Sequence, residues 1–104
     1  MTYSVITTIS GDGSDYDTLH AALLAHTDGS VPGLILHLAT TTETGVHITE
    51  VWATKEAFER CNHEILWPLA AQVLGDRAST TLVSKREFTP RGLVIPAAEH
   101  TLAN

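Results

Sequence analysis

Apolar and polar residues alternate from Tyr3 to Ile9, with Tyr3, Val5, Thr7 and Ile9 sharing one face. The stretch is rich in β-branched residues, which suit a pleated surface, so a first strand is predicted there. Gly11-Asp12-Gly13 ends it. From Ser14 the apolar period lengthens. Tyr16, Leu19, Leu23 and His26 recur at helical spacing and outline a buried stripe on a helix that runs to about His26. Ser14 and Asp17 outline a capping box with Asp in place of Glu. Thr27-Asp28-Gly29-Ser30 closes the helix, and Pro32-Gly33 forces a turn before the next element.

Leu34 to Ala39 reads as a second strand, with Leu34, Leu36 and Leu38 on one face and Ile35, His37 and Ala39 on the other. Thr40 to Thr44 reads as a polar loop, and Gly45 to Trp52 as a third strand. A register that sets Leu36 against Ile48 and Leu38 against Val46 brings His37 opposite His47, both on the face away from the leucines. Glu50 then falls on the wrong pleat parity to join the pair as a third metal ligand, so no metal is expected.

Thr54 is a good N-cap for a second helix reaching about Leu74, with Gly75 as its C-cap. Phe58, Cys61, Ile65, Leu69 and Val73 form one apolar stripe; His63, Leu66, Trp67, Ala70 and Leu74 line a second flank. Pro68 lacks an N–H and crowds the carbonyl of Glu64, so a kink is expected. Thr80 to Phe88 reads as a fourth strand. Pro90 interrupts it, Arg91 to Ile95 would run along another sheet edge or cross to a partner, and residues 97–104 read as a tail.

The order strand, helix, strand, strand, helix, strand in one domain spanning residues 1–96 is the α+β, ferredoxin-like βαββαβ plan, an antiparallel sheet with two helices on one face. The other face, expected to carry Ile35, His37, Ala39, His47, Thr49 and Val51, is mixed rather than charged. Such a face suits a second sheet, so a homodimer closing into a barrel is predicted.

Composition narrows the function. The chain has 104 residues and a net charge of −6, which offers no basic surface for nucleic acid and disfavours anionic membranes. Charged residues make up only 17%, in keeping with a surface covered by a second subunit. One cysteine, Cys61, excludes a disulfide framework and multi-cysteine metal sites. The N-terminus has no charged and apolar leader and no apolar run approaches a membrane span, so a cytoplasmic protein is expected.

Six histidines are the unusual feature, and they are where chemistry is sought. His37 and His47 are the candidate general base and its electrostatic partner, and His63 the assisting group from the second helix. Trp52, Phe58 and Trp67 are the candidate walls of a pocket for a flat ligand. His20 and His26 are expected to be solvated. Cys61 is expected to be an inert core residue, since no cation stands near it to lower its pKa.

Pro32-Gly33-Leu34-Ile35, followed by Ile48-Thr49-Glu50-Val51-Trp52 leading into Ala57-Phe58-Glu59, resembles the antibiotic-biosynthesis-monooxygenase-like family of dimeric α/β barrels over roughly residues 3 to 88. The resemblance implies a cofactor-independent monooxygenase, or a related cyclase or isomerase, acting on a small aromatic or polyketide-like substrate by histidine-assisted proton abstraction. Where members carry a His or Trp early in the second helix, this chain has Cys61. Heme-degrading relatives use an Asn in the first strand and a His further along the second helix. The first strand here has no Asn and the region around Ala70 no His, so heme is the lesser alternative and no cofactor is expected. The competing class is a non-catalytic dimer that binds a small ligand.

Overall fold

The computed structural model describes residues 2–80 and 83–94. Four strands, β1 (Tyr3–Ser10), β2 (Leu34–Thr41), β3 (Gly45–Trp52) and β4 (Val83–Phe88), form one antiparallel sheet in the order β2-β3-β1-β4. Helix α1 (Ser14–Thr27) links β1 to β2. Between β3 and β4 run α2 (Lys55–Cys61), a π turn (Asn62–Leu66), α3 (Trp67–Leu74) and the short α4 (Arg77–Thr80). This is the ferredoxin-like plan. Thr80, expected to open the fourth strand, lies in α4 instead, and residues 95–104, with the expected tail, lie outside the described residues.

Local sequence explains most element ends. Thr54 accepts a hydrogen bond from Ala57 N at 3.0 Å, satisfying one of the orphan donors of α2. The start of α1 differs from expectation. Gly13, in the left-handed region at φ 94°, is its N-cap, and Asp12 Oδ1 accepts from Ser14 N at 2.9 Å, so Asp12 does the work assigned to Ser14. Pro68 produces a π turn on its N-terminal side, in which Trp67 N–H reaches back to Asn62 O. One extra residue in that turn accommodates the proline without ending the helix.

The register of β2 on β3 overturns the expected one. His37 pairs with Glu50, Ala39 with Ile48 and Thr40 with His47. Two features cause this. Strand β2 continues to Thr41 and turns tightly, with Thr42 N–H bonded to Gly45 O at 2.8 Å, and an irregularity lies between Leu34 and Leu36. The turn needs Gly45, because a Cβ there would collide with the carbonyl oxygen of Ile9 on β1. The resulting offset is odd, and an odd offset sends every side chain of the strand to the other face.

Rows of residues therefore cross the sheet in a new arrangement. Facing the helices are Leu34–Trp52–Tyr3, then His37–Glu50–Val5–Glu87, then Ala39–Ile48–Thr7–Lys85, then Thr41–Val46–Ile9–Val83. The opposite face carries Leu36–Val51–Ser4–Phe88, Leu38–Thr49–Ile6–Arg86 and Thr40–His47–Thr8–Ser84. His37 and Ala39 thus face the helices, and Leu36 and Leu38 take the places expected for them on the outer face. Glu50 shares the face of His37, and His47 does not.

Among the described residues the buried hydrophobic set is small: Val5, Val46, Ile48, Val51, Trp52 and Phe58. Its centre is Trp52 against Phe58 and Val5, with Tyr3, Val31, Leu34, Ala57 and Cys61 packed around it. Gly33 makes that packing possible. At φ 85° it adopts a conformation that side chains resist, and a Cβ there would stand 2.5 Å from the Cβ of Ala57. The Gly33 carbonyl also accepts from Ala53 N–H at 2.7 Å, tying β2 to the entry of α2.

Candidate active site

The helix-facing side of the sheet carries two adjoining constellations. The first begins with Trp52, which is buried and donates its indole N–H to Glu50 Oε1 at 3.0 Å. The other carboxylate oxygen, Oε2, lies 2.6 Å from His37 Nδ1. His37 Nε2 lies 2.7 Å from the hydroxyl of Tyr16, and that hydroxyl lies 3.2 Å from Nδ1 of His20. The rings of Tyr16, His20 and His37 are nearly parallel, with centroids 5.2 to 6.1 Å apart.

The environment of this line sets its charges. Burial, reinforced by the negative charges of Glu50 and Asp17, pushes the Tyr16 hydroxyl up to about 12. Burial pushes His20 below the usual imidazole range, the charge of His37 adds to this, and Asp17 opposes it. Burial and then Glu50 push the Cys61 thiol up, so it stays protonated and unreactive, as a core cysteine should.

The second constellation is an open cleft of about 470 Å³ between β1, β4 and the π turn. Tyr3 and Phe58 form part of its wall at 5.1 Å between ring centroids, and His63 meets Trp67 edge to face at 4.4 Å. Asn62 lies beside them on the π turn. Charged residues of both signs line it as well: Lys55, Lys85, Glu59 and Glu87. Lys85 Nζ sits 5.4 Å from the centre of the Phe58 ring and Lys55 Nζ 5.9 Å from that of Tyr3. Burial, with a hydrogen bond to Glu87, pushes the Tyr3 hydroxyl up to about 12.

The structure therefore brings Phe58, His63 and Trp67 into one cleft. It places Trp52 behind Phe58, at 5.8 Å and 70°, as a core residue that fixes Glu50. His37 and His47 are separated by the sheet: His37 has both ring nitrogens engaged, and His47 is exposed on the outer face. His26 is exposed, as expected of a solvated residue but not of the stripe. His20, expected to be solvated as well, is half-buried. Tyr16, His20 and Glu50, not expected as a set, come together around His37. The signals present were the four-residue step from Tyr16 to His20 and the same-face step from Glu50 to Trp52.

No family model matches the chain, and no curated protein matches it. Solved structures do. Rv0793 from Mycobacterium tuberculosis is 15% identical with a TM-score of 0.64, over 94% of this chain and 100% of that one. An assigned antibiotic biosynthesis monooxygenase from Chloroflexus aurantiacus is 20% identical with a TM-score of 0.61, over 90% and 97%. SnoaB, a cofactor-independent oxygenase from Streptomyces nogalater, is 16% identical with a TM-score of 0.58, over 89% and 96%. At these identities the likeness speaks for architecture. The fold of this chain is that of the antibiotic biosynthesis monooxygenases.

Proposed function

We propose that the chain is a homodimeric, cofactor-independent monooxygenase that holds a small planar aromatic substrate in the cleft of Phe58, His63 and Trp67. The observation that carries this reading is the edge-to-face pair of His63 and Trp67 beside Phe58: one proton acceptor and two aromatic surfaces in a single recess. His63 takes a proton from an acidic phenol, enol or activated methylene. The carbanion then gives one electron to dioxygen, and the radical pair combines at carbon. The peroxide anion so formed accepts the proton back, and the resulting hydroperoxide loses water, so a methylene becomes a carbonyl and the second oxygen atom leaves as water. The substrate supplies the electrons, so the scheme asks for no cofactor, in keeping with SnoaB, a cofactor-independent oxygenase. His37, enclosed by Tyr16 and Glu50, stands outside this step. His47 takes a place on the sheet face that the second subunit covers, which rests on the exposed Leu36 and Leu38 beside it.

The test is oxygen uptake with hydroxylated anthracene-type compounds, with wild type, His63→Ala, Trp67→Ala, His37→Ala and His47→Ala compared. Loss of a general base costs roughly 10²–10⁴ in kcat, and that loss is expected for His63→Ala. Trp67→Ala is expected to raise KM. Turnover indifferent to His63 overturns the assignment. Quenching of Trp67 fluorescence with no oxygen uptake assigns the cleft to ligand binding alone, and a Soret shift on titration with heme assigns it to heme.

A further inference from the structure

Away from the cleft, Glu50 on β3, His37 on β2, and Tyr16 and His20 on α1 form a continuous hydrogen-bonded line whose donors and acceptors can be assigned in order. A carboxylate only accepts, so His37 Nδ1 carries the hydrogen toward Glu50 Oε2 at 2.6 Å. The neutral ring leaves Nε2 as an acceptor, and the Tyr16 hydroxyl at 2.7 Å donates to it. The Tyr16 oxygen, its own hydrogen committed, accepts from His20 Nδ1 at 3.2 Å. The remaining nitrogen of His20, Nε2, is then a bare lone pair on a half-buried ring.

The same four residues have one other fully bonded arrangement. A proton arriving at His20 Nε2 lets the Nδ1 hydrogen pass to the Tyr16 oxygen. The original Tyr16 hydrogen passes to His37 Nε2, and the charge settles on His37 against the Glu50 carboxylate. One proton enters, two hydrogens shift, and each heavy atom keeps its partner. We propose that Glu50, His37, Tyr16 and His20 form a proton relay, a proton-accepting site on α1 distinct from the cleft, which takes a proton at His20 and stores its charge at His37.

The surroundings support each role. Tyr16 passes a proton on without being left as phenolate, since burial and the charges of Glu50 and Asp17 hold its hydroxyl at about 12. His20 is discouraged from keeping a charge, by burial and by its stacking 5.5 Å from His37. Trp52 N–H holds Glu50 in place at 3.0 Å. Among the described residues, Asp17 from α1 and the protonated Cys61 thiol from α2 also interact with the line. Asp17 beside the outlet disfavours an anion left behind there, so the donor this site suits is a cationic acid, which becomes neutral on giving up its proton.

The test is NMR of the full chain with 15N-labelled histidine rings, taken from about pH 8 to about pH 5, across the imidazole range. As His37 becomes doubly protonated, His20 is expected to change from the Nδ1–H to the Nε2–H tautomer in step with it. In Tyr16→Phe that coupling is expected to vanish. A His20 tautomer that stays fixed while His37 charges, or one that still follows His37 in Tyr16→Phe, overturns the relay. Should Tyr16→Phe fail to fold, His37→Gln serves instead: His20 must then keep one tautomer until it charges itself, and a neutral tautomer change there is equally fatal.

Discussion

Nδ1 of His37 lies 2.6 Å from Oε2 of Glu50 across the β2–β3 pair, on the helix-facing side of the sheet. Both side chains are mostly buried, at 25% and 15% exposure, and the same carboxylate also receives the Trp52 indole N–H. Removing the carboxylate leaves two buried donors without an acceptor. Glu50→Ala is therefore expected to cost about 3 kcal/mol of stability, with a smaller loss for Glu50→Gln, whose amide oxygen can still serve Trp52. Urea denaturation of the three proteins measures this; equal midpoints would show that the pair does not support the fold.

Tyr3 and Tyr16 are the only tyrosines in the chain, and both hydroxyls are pushed up to about 12. An unfolded tyrosine ionises near its ordinary value of about 10. Between these values the unfolded chain has released protons that the folded chain keeps. Stability is thus unaffected by these groups below about pH 10 and falls as pH rises from there toward 12. The ultraviolet phenolate band should be absent from the native protein near pH 10.5, a value between those two limits. A band appearing there before far-ultraviolet circular dichroism changes would contradict the enclosure of both rings.

Gly33 is constrained by its left-handed backbone and by the Ala57 methyl 2.5 Å from where its Cβ would be. Gly33→Ala should cost about 2 kcal/mol or more. Gly29, also left-handed at φ 78° but with open space around it, is the control, and Gly29→Ala should cost only about 1 kcal/mol. Thermal unfolding of both variants separates backbone strain from the clash with α2, and equal losses would remove the clash from the explanation.

On the outer sheet face Leu38 is 55% exposed, and Leu36 37%. If a second subunit covers this face, a charge placed at its centre must be buried there without a partner. Leu38→Asp is expected to convert a dimer into a monomer in sedimentation velocity at micromolar concentration. A monomeric wild type, or a dimer indifferent to Leu38→Asp, would locate association elsewhere or abolish it.

Local sequence carried much of the architecture, because the signals that set each element act over a few residues. The strand periods, the Thr54 cap, the turn at Gly75, the disturbance at Pro68 and the Phe58–Cys61–Ile65 stripe are all effects of neighbours along the chain. The cleft was partly legible for the same reason, since His63 and Trp67 are four residues apart on one helix. Pairing between strands was not. Which residue faces His37 depends on where β2 ends and on the irregularity between Leu34 and Leu36, and a shift by an odd number of residues exchanges the two faces entirely. Tertiary structure alone therefore decided that His37 meets Glu50 rather than His47, and that Tyr16 and His20, a helix away in sequence, close over it. Pleat parity is fixed by the chain, but its phase is fixed only when the strands join.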